Sequence, residues 1–419
     1  MEDSYDATQS VDAVVICDTT LRDAEGAAGV VLSNVEKYRI AKLLDNAGIP
    51  QMEVGMPIKG VEEKIVVKHI AEMGLETLVS AACRANIDDI DAALDCGVGS
   101  VSVSLAASDV QIQNLYNQDK DWVRDMVYGA VKYAKDHGLY VSCVIEDAPR
   151  SELGFLMGYA MDAVSAGADR ITYFDSVGVE DPFSLYERVK MLKKVLNVDI
   201  EVQARNDYGM ATANTLAGIK AGAGYAGASL LGIGSRAGNA PLEEVALMVE
   251  QICGKASGID FIALRKAADA VSKATGRKIW ETKPVFGSGV FAQETALGNM
   301  AGILDPYDPE IVGGKREIVI GKHISNGGII YLLSEMGYEV PEEHIDPLRD
   351  MIVRYVGEVH RNLTPDELEM LYEDMLSGVD IFDDSLYFDG TEEGDVEAEP
   401  IEGDVEIVVD ETEPEEYQE

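Results

Sequence analysis

Carboxylates and guanidiniums gather at one kind of place in this chain, the ends of short apolar runs. Asp18, Arg22 and Asp23 follow the run Ala13–Cys17, Glu53 stands in the next, and Arg84 follows the third. Further on, Glu146 and Asp147, then Asp175 and Ser176, then Gln203, Arg205, Asn206 and Asp207, and finally Arg236 and Asn239 each follow a run of their own. Acids in such a set hold cations or move protons, and arginines fix the charge of a carboxylate or an enolate. Any one of these is an ordinary loop residue. Acids or arginines at seven run ends of eight instead predict a polar mouth for an anionic ligand.

The runs that carry them read as strands: Ala13–Cys17, Gln51–Val54, Thr77–Ala81, Ser100–Leu105, Leu139–Ile145, Arg170–Phe174, Asp199–Val202 and Tyr225–Leu231. Helical patterns alternate with them, among them Val35–Asn46, Trp122–His137, Pro182–Leu196, Ala211–Ala221 and Pro241–Cys253. Strict alternation implies a parallel sheet. Eight units of about 30 residues predict a (β/α)8 TIM barrel over residues 1–256, in which sites sit at the C-terminal strand ends. A doubly wound open sheet is the alternative, and the count of eight disfavours it. From Ser257 the rhythm stops. Residues 257–379 predict a mainly helical C-terminal region with a short strand at Lys315–Gly321. Its last helix is announced by the capping box Thr364-Pro365-Asp366-Glu367.

Charge narrows the function. The chain has 34 Lys and Arg against 76 Asp and Glu, a net charge of −42, which excludes nucleic-acid phosphate as a natural partner. Residues 380–419 hold 18 acids and no Lys or Arg, and read as a disordered acidic tail, a solubilising segment or a dock for a basic partner. No apolar run is long enough to span a membrane. The acidic start lacks the pattern of a secretion signal. Five cysteines, Cys17, Cys83, Cys96, Cys143 and Cys253, form no Cys-x-x-Cys pair. That disfavours a disulfide framework or a cysteine zinc site and fits a reducing cytosol.

Seven motifs carry a resemblance. They are Asp18-Thr19-Thr20-Leu21-Arg22-Asp23-Ala24-Glu25, Glu53-Val54-Gly55-Met56-Pro57, Asp175-Ser176-Val177-Gly178, Asn206-Asp207-Tyr208-Gly209-Met210-Ala211, Gly232-Ile233-Gly234-Ser235-Arg236-Ala237-Gly238-Asn239, and, further on, Asp308-Pro309-Glu310 with Gly321-Lys322-His323. In this order they resemble the acyl-CoA-dependent condensing enzymes and lyases on metal-binding barrels: homocitrate synthase, isopropylmalate synthase and hydroxymethylglutaryl-CoA lyase. The nitrogen-fixation type of homocitrate synthase is the nearest likeness. The resemblance implies condensation of acetyl-CoA, or another acyl-CoA, with a 2-oxo acid. In that chemistry a divalent metal polarises the carbonyl while a base takes a methyl proton. It also implies a dimer, either with itself or with a paralogue, in which the appendage supplies acid–base groups to the neighbouring barrel.

Residue by residue, the resemblance makes Arg22 and Glu294 the catalytic pair. Glu53 and Ser176 fall in the substrate set, joined at the mouth by Arg84 and Arg205. Asp23 and Asn239 keep metal positions. The departures are as informative. The metal-binding His-x-His of the seventh strand reads Gln203-Ala204-Arg205, the His before Glu294 reads Gln293, and a second His after it reads Gly298. Ala24, Gly26, Ser102 and Ser235 also differ from the usual residues. Arg205 cannot ligate. A unit cation ~4 Å from a dication is repelled by about 8 kcal/mol at an effective dielectric of ~20. Arg205 therefore argues against a divalent metal. It is expected to share a face with Gln203 and to reach Asp23, either plugging a vacant metal site or binding an oxo-acid carboxylate.

Three functional expectations stand: a condensing acyltransferase with Arg205 as the cation, a non-catalytic or heteromeric paralogue, and a lyase or aldolase. Two weaker signals add little. Gly232-x-Gly234-x-x-x-Gly238 is one residue too long for a dinucleotide loop and follows the wrong strand. Glu146-Asp147 reads as a loop-orienting pair.

Overall fold

The computed structural model describes residues 13–295 and 303–378. Eight parallel strands close into a barrel: β1 (Val15–Asp18), β2 (Gln51–Glu53), β3 (Leu78–Arg84), β4 (Ser100–Ala106), β5 (Tyr140–Glu146), β6 (Arg170–Asp175), β7 (Asp199–Ala204) and β8 (Tyr225–Ala228). β8 returns to β1 with Tyr225 opposite Val15. The helices between them are α1 (Asn34–Asn46), α2 (Val61–Ala71), α3 (Ile87–Leu94), α4 (Lys120–Asp136), α5 (Leu153–Ser165), α6 (Pro182–Val195), α7 (Ala211–Lys220) and α8 (Leu242–Gln251). The fold is the (β/α)8 barrel that the alternation predicts.

Local chemistry starts these helices where the motifs end. Ser33 and Glu36 form a capping box at α1, and Asp181 caps α6 ahead of Pro182. Most strands run past the predicted apolar runs, so Asp18, Arg84, Glu146, Asp175 and Gln203 are strand residues. β8 is shorter than predicted. It ends at Ala228 because the chain then turns through Leu231 at φ +56°.

Alternation puts every second strand residue inside the barrel. The interior lining includes Cys17, Gln51, Ser102, Ser104, Val144, Thr172, Phe174, Glu201 and Gln203. The outward residues pack under helices, as Val202 does against Gly218 of α7. The barrel floor is polar. Arg170 is fully buried, pairs with Glu201 at 2.8 Å and donates to Gln51 Oε1 at 2.9 Å. Its guanidinium also lies over the Tyr225 ring at 4.4 Å, and Thr172 donates to Glu201 at 3.1 Å. Such a pair persists inside a protein only when its remaining donors and acceptors are met, as here.

The βα rhythm ends at α8, but the core does not. Helix α9 (Phe261–Thr275) buries Phe261, Leu264, Ala267, Ala268 and Val271 in the apolar cluster of the barrel, which continues to Val312. A second cluster, from Ile320 to Tyr372, lies among α10 (Asn326–Glu335), α11 (Glu342–Val359) and α12 (Pro365–Ser377). Thr364 and Glu367 form the predicted capping box. Two short strands, β9 (Ala292–Gln293) and β10 (Glu317–Ile318), pair in parallel beside it. No helix among the described residues is long and apolar enough to cross a membrane. The acidic segment 380–419 and Gly298 lie outside the described residues.

Candidate active site at the barrel mouth

Asp23 is the hub of the mouth. It sits in the helical turn Thr20–Ala24 just past β1, with its side chain turned inward and buried. Each carboxylate oxygen has two partners. Oδ1 faces Arg205 Nη2 at 3.0 Å and Arg22 Nη1 at 3.2 Å. Oδ2 accepts from Thr19 Oγ1 at 2.8 Å and from Asn239 Nδ2 at 2.7 Å. Burial alone would raise this carboxyl. Arg22 and Arg205, with the hydrogen bonds from Thr19 and Asn239, outweigh it and hold the group below the usual carboxylate range.

Arg205 lies just past β7 and bridges to Asn239 in the backbone ladder. Its Nη1 donates to Asn239 Oδ1 at 2.6 Å, and Phe174 lies 5.4 Å from its guanidinium carbon. Burial lowers its pKa from the ordinary arginine value, which still leaves it charged. The close fit needs Gly234, where a Cβ would stand 2.8 Å from Arg205 Nη1. Arg22 reaches back to make a close ion contact with Glu53. Burial works against its charge, but Asp23 and Glu53 more than offset that and raise its pKa.

Arg22 and Glu53 line a cavity of about 40 Å³ together with Ser102, Glu146 and Gln203 among others, room for roughly one water. Gln203 Nε2 and Arg205 Nε are buried and have no hydrogen-bond partner among the described residues. Asp18 hangs beside the cluster, its carboxyl pushed up to about 7 by burial and bonded to Thr20 Oγ1 at 2.5 Å.

A divalent cation does not fit this arrangement. A carboxylate offers about four acceptor positions, and on Asp23 all four are taken by donors. The Asn239 oxygen is taken as well, by the same guanidinium. Among the described residues no group of three or more His, Cys, Asp or Glu could hold a metal ion.

Arg22, Asp23, Glu53, Arg205 and Asn239 thus meet at one point, with Gln203 beneath them. Three other candidates do not join them. Arg84 ends β3, but Asp89 holds its guanidinium at 2.8 and 2.9 Å on the exposed side, so it does not line the cavity. The Ser176 hydroxyl accepts from the Asp147 backbone at 3.0 Å, tying β6 to the β5 loop. Glu294 lies beside β9, where it accepts from the His323 backbone N–H at 3.2 Å. Asp147 is buried between Ser108 and Arg150 as a loop-orienting residue, whereas Glu146 lines the cavity. Thr19 and Phe174 were not singled out as site residues, although Thr19 lies within the first motif and Phe174 shares the inward parity of β6.

The sequence model of the HMGL-like family matches residues 13–271. The chain belongs to that family. Among curated relatives, 2-isopropylmalate synthase 2 of Caldanaerobacter subterraneus subsp. tengcongensis is 42% identical over 368 residues, 87% of this chain and 96% of the relative. Homocitrate synthase 1 of a Nostoc species is 38% identical over 361 residues, 85% and 96% of the two chains. Among solved structures, the HMG-CoA lyase of Bacillus subtilis superposes with a TM-score of 0.58 at 17% identity, covering 64% of this chain and 95% of that one. That likeness speaks for the fold alone. Within this HMGL-like chain Arg22 and Asp23 meet in the turn after the first strand, and a guanidinium lies across Asp23 and Asn239.

Proposed function

We propose that this HMGL-like chain condenses an acyl-CoA with a 2-oxo acid at the barrel mouth, with Arg205 as the cation that faces the oxo acid. The observation that carries the reading is the buried Arg205 guanidinium, bonded to Asp23 and Asn239 and set beside Arg22. A base removes a proton from the carbon beside the thioester, and that carbon attacks the ketone carbon of the oxo acid. The ketone oxygen becomes an alkoxide and takes up a proton. Water then cleaves the thioester, giving a carboxylate and the free CoA thiol. Fixed guanidiniums favour the enolate and the alkoxide because their orientation is set before charge develops. To meet the oxo acid, Arg205 gives up its bond to Asn239 while Asp23 keeps it in place. The five free cysteines suit a reducing cytosol.

A second reading, a non-catalytic paralogue that works beside an active relative, is favoured by the saturation of Asp23. Thiol release from acetyl-CoA, measured across a panel of 2-oxo acids with and without chelator, separates the two. Chelator-insensitive release with one oxo acid is expected. Absence of release with every oxo acid supports the paralogue, and release that chelator abolishes removes Arg205 from the reaction.

A further inference from the structure

Gln203 and Arg205 stand two residues apart on one face at the C-terminal end of β7. Each carries a buried N–H donor without a partner among the described residues, Gln203 Nε2 and Arg205 Nε. A buried donor left unpaired costs free energy, and folded proteins rarely keep one. Acceptors exist in the same space. Glu146 and Glu201 line the cavity that Gln203 lines, yet neither accepts its N–H. Glu201 is held instead by Arg170 and Thr172. Local costs of this kind are what folds carry at functional sites.

The neighbouring strands fix the amide. In the parallel register Gln203 lies between Phe174 of β6 and Gly227 of β8. A Cβ at Gly227 would stand 3.1 Å from Gln203 Cγ, so the bare glycine lets the side chain lie close to β8. Phe174 walls the other side and lies 5.4 Å from the guanidinium carbon of Arg205. Its apolar ring lowers the local dielectric, which strengthens any bond these donors make. The cavity beside Gln203 takes roughly one water, the space of a single oxygen atom. A donor that is buried, fixed and unspent before reaction is what a developing oxyanion needs. A divalent cation that would otherwise polarise a ketone does not fit this mouth, so the charge must be met by the chain's own N–H groups.

We propose that Gln203 Nε2, together with Arg205 Nε, forms the oxyanion site of the condensation. As the carbon beside the thioester bonds to the ketone carbon, the π pair of the C=O moves onto the ketone oxygen. The two N–H groups hold this alkoxide until it takes up the proton that left the thioester carbon. Gln203 is then a catalytic residue, standing where the resemblance places a metal-binding histidine. The inference rests on the condensing reading and adds a residue to it.

Steady-state thiol release tests it on the full chain, with acetyl-CoA and the oxo acid that gives the fastest release, read beside urea unfolding. Gln203→Met keeps the length of the side chain and removes the donor. Its kcat is expected to fall about a hundredfold, as for the loss of one oxyanion donor, while the KM for the oxo acid stays within about twofold. Its unfolding midpoint is expected to match or exceed that of the wild type, because no buried amide is left unpaired. Gln203→Asn keeps the N–H but draws it back by one carbon, and its kcat is expected to lie between the two. A Met variant with unchanged kcat overturns the oxyanion site and leaves the condensing reading standing, as does a loss that lies wholly in KM. A fall in kcat that comes with a lower unfolding midpoint also overturns it, and assigns Gln203 to the fold. A wild-type chain that releases no thiol with any oxo acid overturns the condensing reading itself, and the oxyanion site with it.

Discussion

Arg205 Nη2 lies 3.0 Å from Asp23 Oδ1, joining the end of the seventh strand to the turn after the first across the barrel mouth. Both groups are buried, so the pair is shielded from water and its loss is costly. Arg205→Ala leaves Asp23 with Arg22, Thr19 and Asn239, so the carboxylate is not stranded. The expected destabilisation is about 3 kcal/mol, the low end for a broken buried pair, read from urea unfolding. A loss below about 1 kcal/mol would mean that water reaches the pair.

Replacing both Gln203 and Arg205 with histidine should bring metal back. Two imidazoles at i and i+2 share the inward face, and removing the guanidinium frees oxygens on Asp23 and Asn239. Elemental analysis should find far less than one Mn or Zn per wild-type chain and close to one in the double variant. A metal-free double variant would withdraw Asp23 and Asn239 as metal positions.

Asp18 makes stability depend on pH in an uncommon direction. Burial pushes its carboxyl from 3.8 up to about 7. Between those values the folded chain holds a proton that the unfolded chain has lost, so this group lowers stability as pH rises. Three units at ~1.4 kcal/mol each give at most about 4 kcal/mol. Asp23, with its lowered pKa, acts the other way, but only at more acid pH. Asp18→Asn should match the wild type near pH 4 and become the more stable of the two by pH 7 in chemical unfolding. Parallel curves would show that Asp18 does not titrate in this window.

The C-terminal helices predict assembly. Ile330 and Tyr331 of α10 are about 40% exposed, beside a groove of about 480 Å³ between α10 and β10. Light scattering should give a dimer at micromolar concentration, and Tyr331→Glu should give a folded monomer. A wild-type monomer removes the C-terminal region as a dimer contact.

The barrel was legible because each strand announces itself by an apolar run and each helix by its periodicity. The contact between Asp23 and Arg205 was legible too, since strand parity carries Gln203 and Arg205 to one face. Arg84 shows where such reasoning stops. Position alone sends it to the mouth, yet Asp89, on a helix capped by Asn86, captures it from five residues away. Arg170 was missed for the opposite reason. Counting back by twos from Phe174 puts it inside the barrel, but a charge at a strand start reads as rim. Its partner Glu201 lies on the neighbouring strand, where no local spacing reveals it.

The floor of the barrel also decides how the chain can be divided. Gln51 belongs to β2 and Arg170 to β6, on opposite walls and 119 residues apart. The hydrogen bond between them ties the first half-barrel to the second. A fragment holding β5–β8 carries Arg170 and Glu201 without Gln51, and one holding β1–β4 keeps Gln51 on Ser100 and Cys17 but loses the guanidinium that its oxygen meets. Neither half is self-sufficient. Cutting between β4 and β5 should therefore yield two pieces that fold only on reassembly, and closure of the ring becomes a single cooperative event rather than the docking of two finished modules.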